Sequence, residues 1–119
     1  MIDRAFALRF ADEWIAAWNS HDLDAILGHY ADDVEMTSPF IVKVTGESSG
    51  RLRGKAAVGA YWRAALNRMP ELHFTLHEVM HGIDTVQIVY TSVRGLRAIE
   101  TLWFDGEGRV VRAMANYNG

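Results

Sequence analysis

From Pro70 to the C terminus the chain reads as four strands in succession, while most of what precedes it reads as helix. Segments 71–81, 85–93, 97–104 and 109–117 alternate apolar and polar residues with the period of a strand. The connections His81-Gly82-Ile83-Asp84, Arg94-Gly95-Leu96 and Asp105-Gly106-Glu107-Gly108 carry hairpin-type turn residues. Connections this short make consecutive strands antiparallel neighbours. Helices gathered ahead of such a meander cover one side of it. The pattern therefore predicts an α+β domain, with three N-terminal helices packed on the concave face of a curved antiparallel sheet. At 119 residues the chain supports one core, so residues 1–119 are expected to form a single domain.

The first helix, about Asp3 to Asn19, carries Phe6, Phe10, Trp14 and Trp18 at steps of four. Residues at that spacing share a helix face, so these aromatics form one buried stripe. Asp22 is a suitable N-cap for a second helix, Leu23 to Tyr30. Asp32-Asp33 is expected to break it, and Val34, Met36 and Ser38 then alternate with Glu35 and Thr37 as a strand ending at Pro39. Residues 43–54, rich in Gly and Ser, read as a loop, and a third helix over Lys55–Arg68 stops ahead of Pro70.

Composition narrows the function classes. The formal charge is −3 with scattered basic residues, so no nucleic-acid partner is expected. No apolar run approaches the roughly 20 residues that span a bilayer, and no signal peptide is visible, so no membrane partner is expected and a cytoplasmic location is the default. With no cysteine, disulfide and thiolate chemistry are excluded. Both faces of the strands carry apolar residues, more than a sheet open to water on one side needs. A homodimer through the convex face, using Leu72, Phe74, Leu76, Val89, Ile99 and Trp103, is the expectation.

The stretch AWNSHDLDAILGHYADDVEMTSP, Ala17 to Pro39, resembles the opening of the nuclear transport factor 2-like superfamily, which includes SnoaL-like polyketide cyclases and ketosteroid isomerase. The closing ETLWFDGEGRVVRAMANY is similar to the last two strands of ketosteroid isomerase. The resemblance, from Trp14 to Tyr117, implies a cone-shaped cystatin-like roll with a pocket inside. It puts Glu100 where the isomerase keeps a protonated aspartic acid that donates to a developing enolate. It puts Trp14 at the oxyanion-hole tyrosine and Ser38 at the carboxylate base. A serine without a partner does not abstract a carbon-bound proton, so ketosteroid isomerisation itself is not expected. Tyr30, Tyr61, Trp62, Ala113, Ala115 and Tyr117 fall at pocket-wall positions in the same comparison.

Among the residues themselves, Glu100 stands out. Its same-face neighbours are Ala98 and Leu102, so an ionised carboxylate there is costly and a raised pKa follows unless a cation pairs with it. The competing readings are a structural ion pair with an arginine such as Arg63, or a solvated glutamate at the rim. His73 is either a general base beside Glu100 or a histidine hydrogen-bonded to a tyrosine such as Tyr30 or Tyr61. His21 and His29 are expected at the surface. His73 and His77 are separated by roughly 13 Å along a strand, too far to share one metal ion, and no metal is expected. The aromatics Trp14, Trp18, Tyr30, Tyr61, Trp62 and Tyr117, with Ser38, Ile88 and Ala115, are the candidate lining of a pocket closed by the 40–54 loop. The resulting expectation is a small hydrophobic ligand and cofactor-independent isomerase, dehydratase or cyclase chemistry at Glu100 and His73. The alternative is a ligand-binding or dimerisation module of the same fold that catalyses nothing.

Overall fold

A computed structural model describes Met1–Gly119. Helix α1 spans Arg4–Ser20, and the Asp3 carboxylate caps it by accepting from the Phe6 N–H at 2.8 Å. Phe10, Trp14 and Trp18 bury their rings, with Phe6 half-buried at the open end of the stripe. Helix α2 is shorter than the sequence pattern implies, Leu23–Leu27, although Asp22 caps it as expected by accepting from Asp24 and Ala25. Tyr30 is not its last residue. Strand β1 begins there and runs to Thr37, so Asp32-Asp33 lies within the strand, solvent-facing on both residues. A register irregularity between Tyr30 and Glu35 accommodates two successive exposed side chains without inverting the buried positions Val34 and Met36.

Helix α3, Pro39–Thr45, replaces the first part of the expected loop. The Ser38 hydroxyl caps it by accepting from Phe40 N–H at 3.1 Å, and Pro39 occupies the first turn, where its missing N–H costs nothing. A three-residue strand β2, Arg51–Arg53, follows; α4, Lys55–Arg68, has the boundaries the sequence predicts. Gly59 lets α4 approach α2 closely, because a Cβ there would stand 3.2 Å from Leu27 Cδ1. The meander is β3 (Thr75–His81), β4 (Thr85–Thr91), β5 (Arg97–Phe104) and β6 (Val110–Tyr117). The curved sheet has the order β2-β1-β6-β5-β4-β3, antiparallel except where β1 runs parallel to β6.

Helix α1 packs against β3 and α4 against β1, closing the concave side. The core is continuous across this space, from Ala7 and Phe10 to Val86, Leu102 and Val110. The coil Met69–Phe74, between α4 and β3, is fixed from α1: Asn19 Oδ1 accepts from Phe74 N–H at 2.7 Å, and Asn19 Nδ2 donates to Phe74 C=O at 3.0 Å. His21, in the left-handed region at φ 61°, hydrogen-bonds Leu72 C=O through Nε2 at 2.8 Å. His21 and His29 are half-buried rather than at the surface, His29 with its ring edge-on to Phe10 at 5.2 Å. No helix is long and apolar enough to cross a membrane.

Candidate functional site

Fifteen residues enclose a cavity under the helices, and thirteen of them are hydrophobic. They come from α1 (Trp14, Trp18), α4 (Tyr61, Trp62, Ala65), the Met69–Phe74 coil and the concave sheet face (Met36, Tyr90, Glu100, Tyr117). Phe40, Met69 and Tyr117 are the half-exposed members and mark the mouth. Helix α3 therefore closes this end with one side chain, Phe40, whose ring lies 4.6 Å from that of Tyr117. Of the 40–54 segment expected to close the pocket, only Phe40 reaches the lining; the Gly- and Ser-rich residues after it turn away, because Gly50 turns back at φ 68° to place β2 beside β1. The void, mouth included, is about 470 Å³, but the centre of a water-sized sphere reaches only about 40 Å³ of it.

Glu100 is the only titratable acid or base in the lining, apart from the phenols, and is 3 % exposed. Its cross-strand partners are Ile88 and Ala115, which offer it no polar side chain. Burial pushes its carboxyl up to about 8, only partly offset by a hydrogen bond from Tyr90 Oη to Glu100 Oε1 at 3.2 Å. No arginine, lysine or histidine forms an ion pair with it, and Arg63 points to solvent, so the structural ion-pair reading does not hold. At neutral pH this carboxyl holds its proton.

The phenols are kept neutral in the same way. Burial raises Tyr30, Tyr90 and Tyr117 strongly and pushes Tyr61 up to about 12, and the nearby Glu100 charge adds to each. The Ser38 hydroxyl acts on both Tyr61 and Tyr117 in the opposite sense. Glu100, Tyr90, Tyr117, Ser38 and Tyr61 thus form one polar seam through an aromatic interior.

Of the residues singled out from sequence, Trp14, Trp18, Tyr61, Trp62, Glu100 and Tyr117 meet in the lining. Tyr30, Ser38, Ile88 and Ala115 sit behind it: Tyr30 Oη accepts from Trp14 Nε1–H at 2.9 Å, Ser38 caps α3, and the other two flank Glu100. His73 is the clear miss. It is exposed, on the coil before β3, while its neighbours Leu72 and Phe74 turn inward and are 6 % exposed each. A register shift between Leu76 and Glu78 continues the mismatch, bringing Leu76 and Val79 to the inner face. Leu72 and Phe74 therefore line the cavity and are not available to a convex-face dimer. Tyr90, missed beforehand, was legible as a residue on the same strand face as Val86 and Ile88. No group of three or more His, Cys, Asp or Glu residues gathers into a metal-binding cluster.

A helix-covered curved sheet around a buried acid is what the opening and closing motifs imply, and the model of the SnoaL-like domain matches residues 11–117. The chain belongs to the SnoaL-like family. A SnoaL-like protein of unknown function from Burkholderia thailandensis is 55 % identical, with a TM-score of 0.95 over 99 % of this chain and 98 % of that one. A proposed isomerase of the SnoaL-like family from Agrobacterium tumefaciens shares the fold at 15 % identity, with a TM-score of 0.76 over 97 % and 99 % of the two chains. A protein of unknown function with a cystatin-like fold from Methylobium petroleophilum does so at 19 % identity, with a TM-score of 0.78 over 99 % of this chain and 79 % of that one. A search of the curated proteins gives no match.

Proposed function

We propose that this SnoaL-like protein is a cofactor-independent isomerase, dehydratase or cyclase acting on a small hydrophobic carbonyl or hydroxyl compound by proton transfer at Glu100. The observation that carries this reading is a carboxyl buried in an apolar cavity without a cation beside it, a setting that favours its protonated form. Such an acid donates to a carbonyl oxygen and stabilises the negative charge that develops when a neighbouring C–H is broken. As its O–H proton passes to the carbonyl oxygen, the other oxygen of the same carboxyl takes the C–H proton, so the acid is regenerated beside the enol. One carboxyl then takes a proton from one carbon and returns it to another of the same conjugated system. The net change is isomerisation, with no atom gained or lost. The Tyr90 hydroxyl, on Oε1, supports the anionic form during the exchange.

Exchange of ring-ketone α-protons for solvent deuterium, followed by proton NMR, tests this. Glu100→Gln is expected to slow exchange about 10²- to 10⁴-fold, and His73→Ala to leave it unchanged. If wild type exchanges none of a broad ketone panel faster than buffer, the catalytic reading falls. The second reading, a ligand-binding module, is favoured by the lack of another acid or base in the lining besides the phenols.

We also propose a homodimer through the outer sheet face, where Ile99 is exposed and Val89 and Trp103 are half-covered. Trp103 lies under Arg112, whose guanidinium carbon is 4.5 Å from the ring centre. Sedimentation at micromolar concentration is expected to give twice the monomer mass, and Ile99→Lys to halve it; a monomeric wild type would discard the idea.

A further inference from the structure

Trp18 Nε1 is the one buried side-chain nitrogen or oxygen without a hydrogen-bond partner. A buried indole N–H normally finds one, and leaving it bare costs the whole desolvation of the group. Trp18 is 6 % exposed and lines the cavity. Its neighbour on the stripe is different: Trp14 Nε1 donates to Tyr30 Oη at 2.9 Å. The helical wall of the cavity thus holds an unpaired donor, sealed from water, and the sheet wall a carboxyl.

The rest of the lining limits what can answer them. It has no Lys, Arg or His, so it provides no counter-charge for an anionic ligand, and thirteen of its fifteen residues are hydrophobic. The enclosed part of the cavity is small, about 40 Å³, and widens to about 470 Å³ with its mouth, so it takes one small ring at its inner end and no fused polycycle unless the mouth at Phe40 and Tyr117 opens.

We propose that the ligand is a neutral, single-ring compound with two oxygen acceptors, one taking a hydrogen bond from Trp18 Nε1–H and the other meeting Glu100. This rests on the cavity being the ligand site and names the class of compound it takes. Trp18 is then the residue that sets ligand orientation, placing the reacting carbonyl against Glu100. The raised pKa of the Glu100 carboxyl agrees with its acting as the second donor.

The test uses 1,4-cyclohexanedione, cyclohexanone and methylcyclohexane as probes of ¹⁵N-labelled wild type, with the indole N–H signals assigned through bonds. The dione is expected to shift the Trp18 signal downfield while leaving the Trp14 signal, already paired, nearly still. It is expected to bind about tenfold tighter than cyclohexanone, and that gap to close in Trp18→Phe, which keeps a ring and loses the donor. Methylcyclohexane is expected to leave the Trp18 N–H signal where it is. Should Trp18→Phe fail to fold, the wild-type shifts decide alone.

If the dione binds and Glu100→Gln weakens it, but the Trp18 signal does not move, the two-acceptor inference is overturned and the proposed function stands. An upfield Trp18 signal that stays fixed on binding also overturns it. The N–H would then rest on the face of Trp62, whose ring lies edge-to-face at 5.2 Å. If none of the three probes perturbs any cavity residue of wild type at millimolar concentration, the cavity is not a ligand site and both readings fail.

Discussion

Wild-type stability is expected to fall by several kcal/mol as pH rises from about 5 to about 9, with Glu100→Gln losing that slope. The carboxyl moves from 4.5 in the unfolded chain to about 8 in the fold. Between those values the native state keeps a proton that the unfolded state has released, so each step up in pH favours unfolding. Below the lower value both states are protonated and the slope vanishes. At about 1.36 kcal/mol per pKa unit, the full window amounts to something on the order of 4–5 kcal/mol. His29 acts with the opposite sign, because burial lowers its pKa and stability is lost as pH falls past the unfolded value of 6.5. That contribution is shared by both proteins, so the difference between their denaturant curves isolates Glu100. Glu100→Leu is expected to go further, raising the unfolding midpoint at pH 7 by the equivalent of about 1 kcal/mol or more. A flat difference curve, or a destabilised leucine variant, would make Glu100 a structural group and remove the main support for chemistry there.

Phe74→Ala is expected to cost about 3–5 kcal/mol, among the largest single losses this chain can suffer. The ring lies 5.7 Å from Trp14, 5.5 Å from Trp18 and 4.8 Å from Tyr90, joining helix to sheet across the cavity. The cost of a truncated core residue depends on how far its surroundings can collapse. Here they cannot collapse far, because Asn19 holds the Phe74 backbone by both its N–H and its C=O. The vacated space therefore stays open, and the variant should accept bulkier rings than wild type does. Chemical denaturation measures the first effect and a size series of cyclic ketones the second. A loss near 1 kcal/mol would show that the 69–74 coil moves inward and is a flap rather than a wall.

What could be read in advance follows physical lines. Capped, periodic helices were legible: Asp22 caps as the sequence implies, the stripe of Phe10, Trp14 and Trp18 is buried, and Lys55–Arg68 ends ahead of Pro70. Glu100 was legible because an acid alternating with Ala98 and Leu102 has one face on which to sit. The misreadings come where one residue type has two uses. Pro39 closes a strand or opens a helix, and the Ser38 hydroxyl in front of it decides for the helix. Asp32-Asp33 breaks a helix or sits on an irregular strand, and pairing with β6 decides for the strand. His73 was misplaced because period-two reasoning assumes an unbroken ladder, whereas residues 71–74 are coil and β3 shifts register at Leu76. The purpose of Asn19 was hidden for another reason: its partner lies 55 residues away, beyond any local pattern.

The two outermost strands bear on how this molecule avoids pairing edge to edge with another chain. Strand β2 offers three residues, two of them exposed arginines, and β3 is interrupted by its register shift and carries the exposed His77 and Glu78. Short, charged or kinked borders resist recruitment of another chain into a growing ladder of backbone hydrogen bonds. Both borders of this sheet are blunted in that way. Whatever self-association the protein has must therefore be broadside, and mutations that straighten β3 or neutralise Arg51 and Arg53 are where fibrous aggregation would begin.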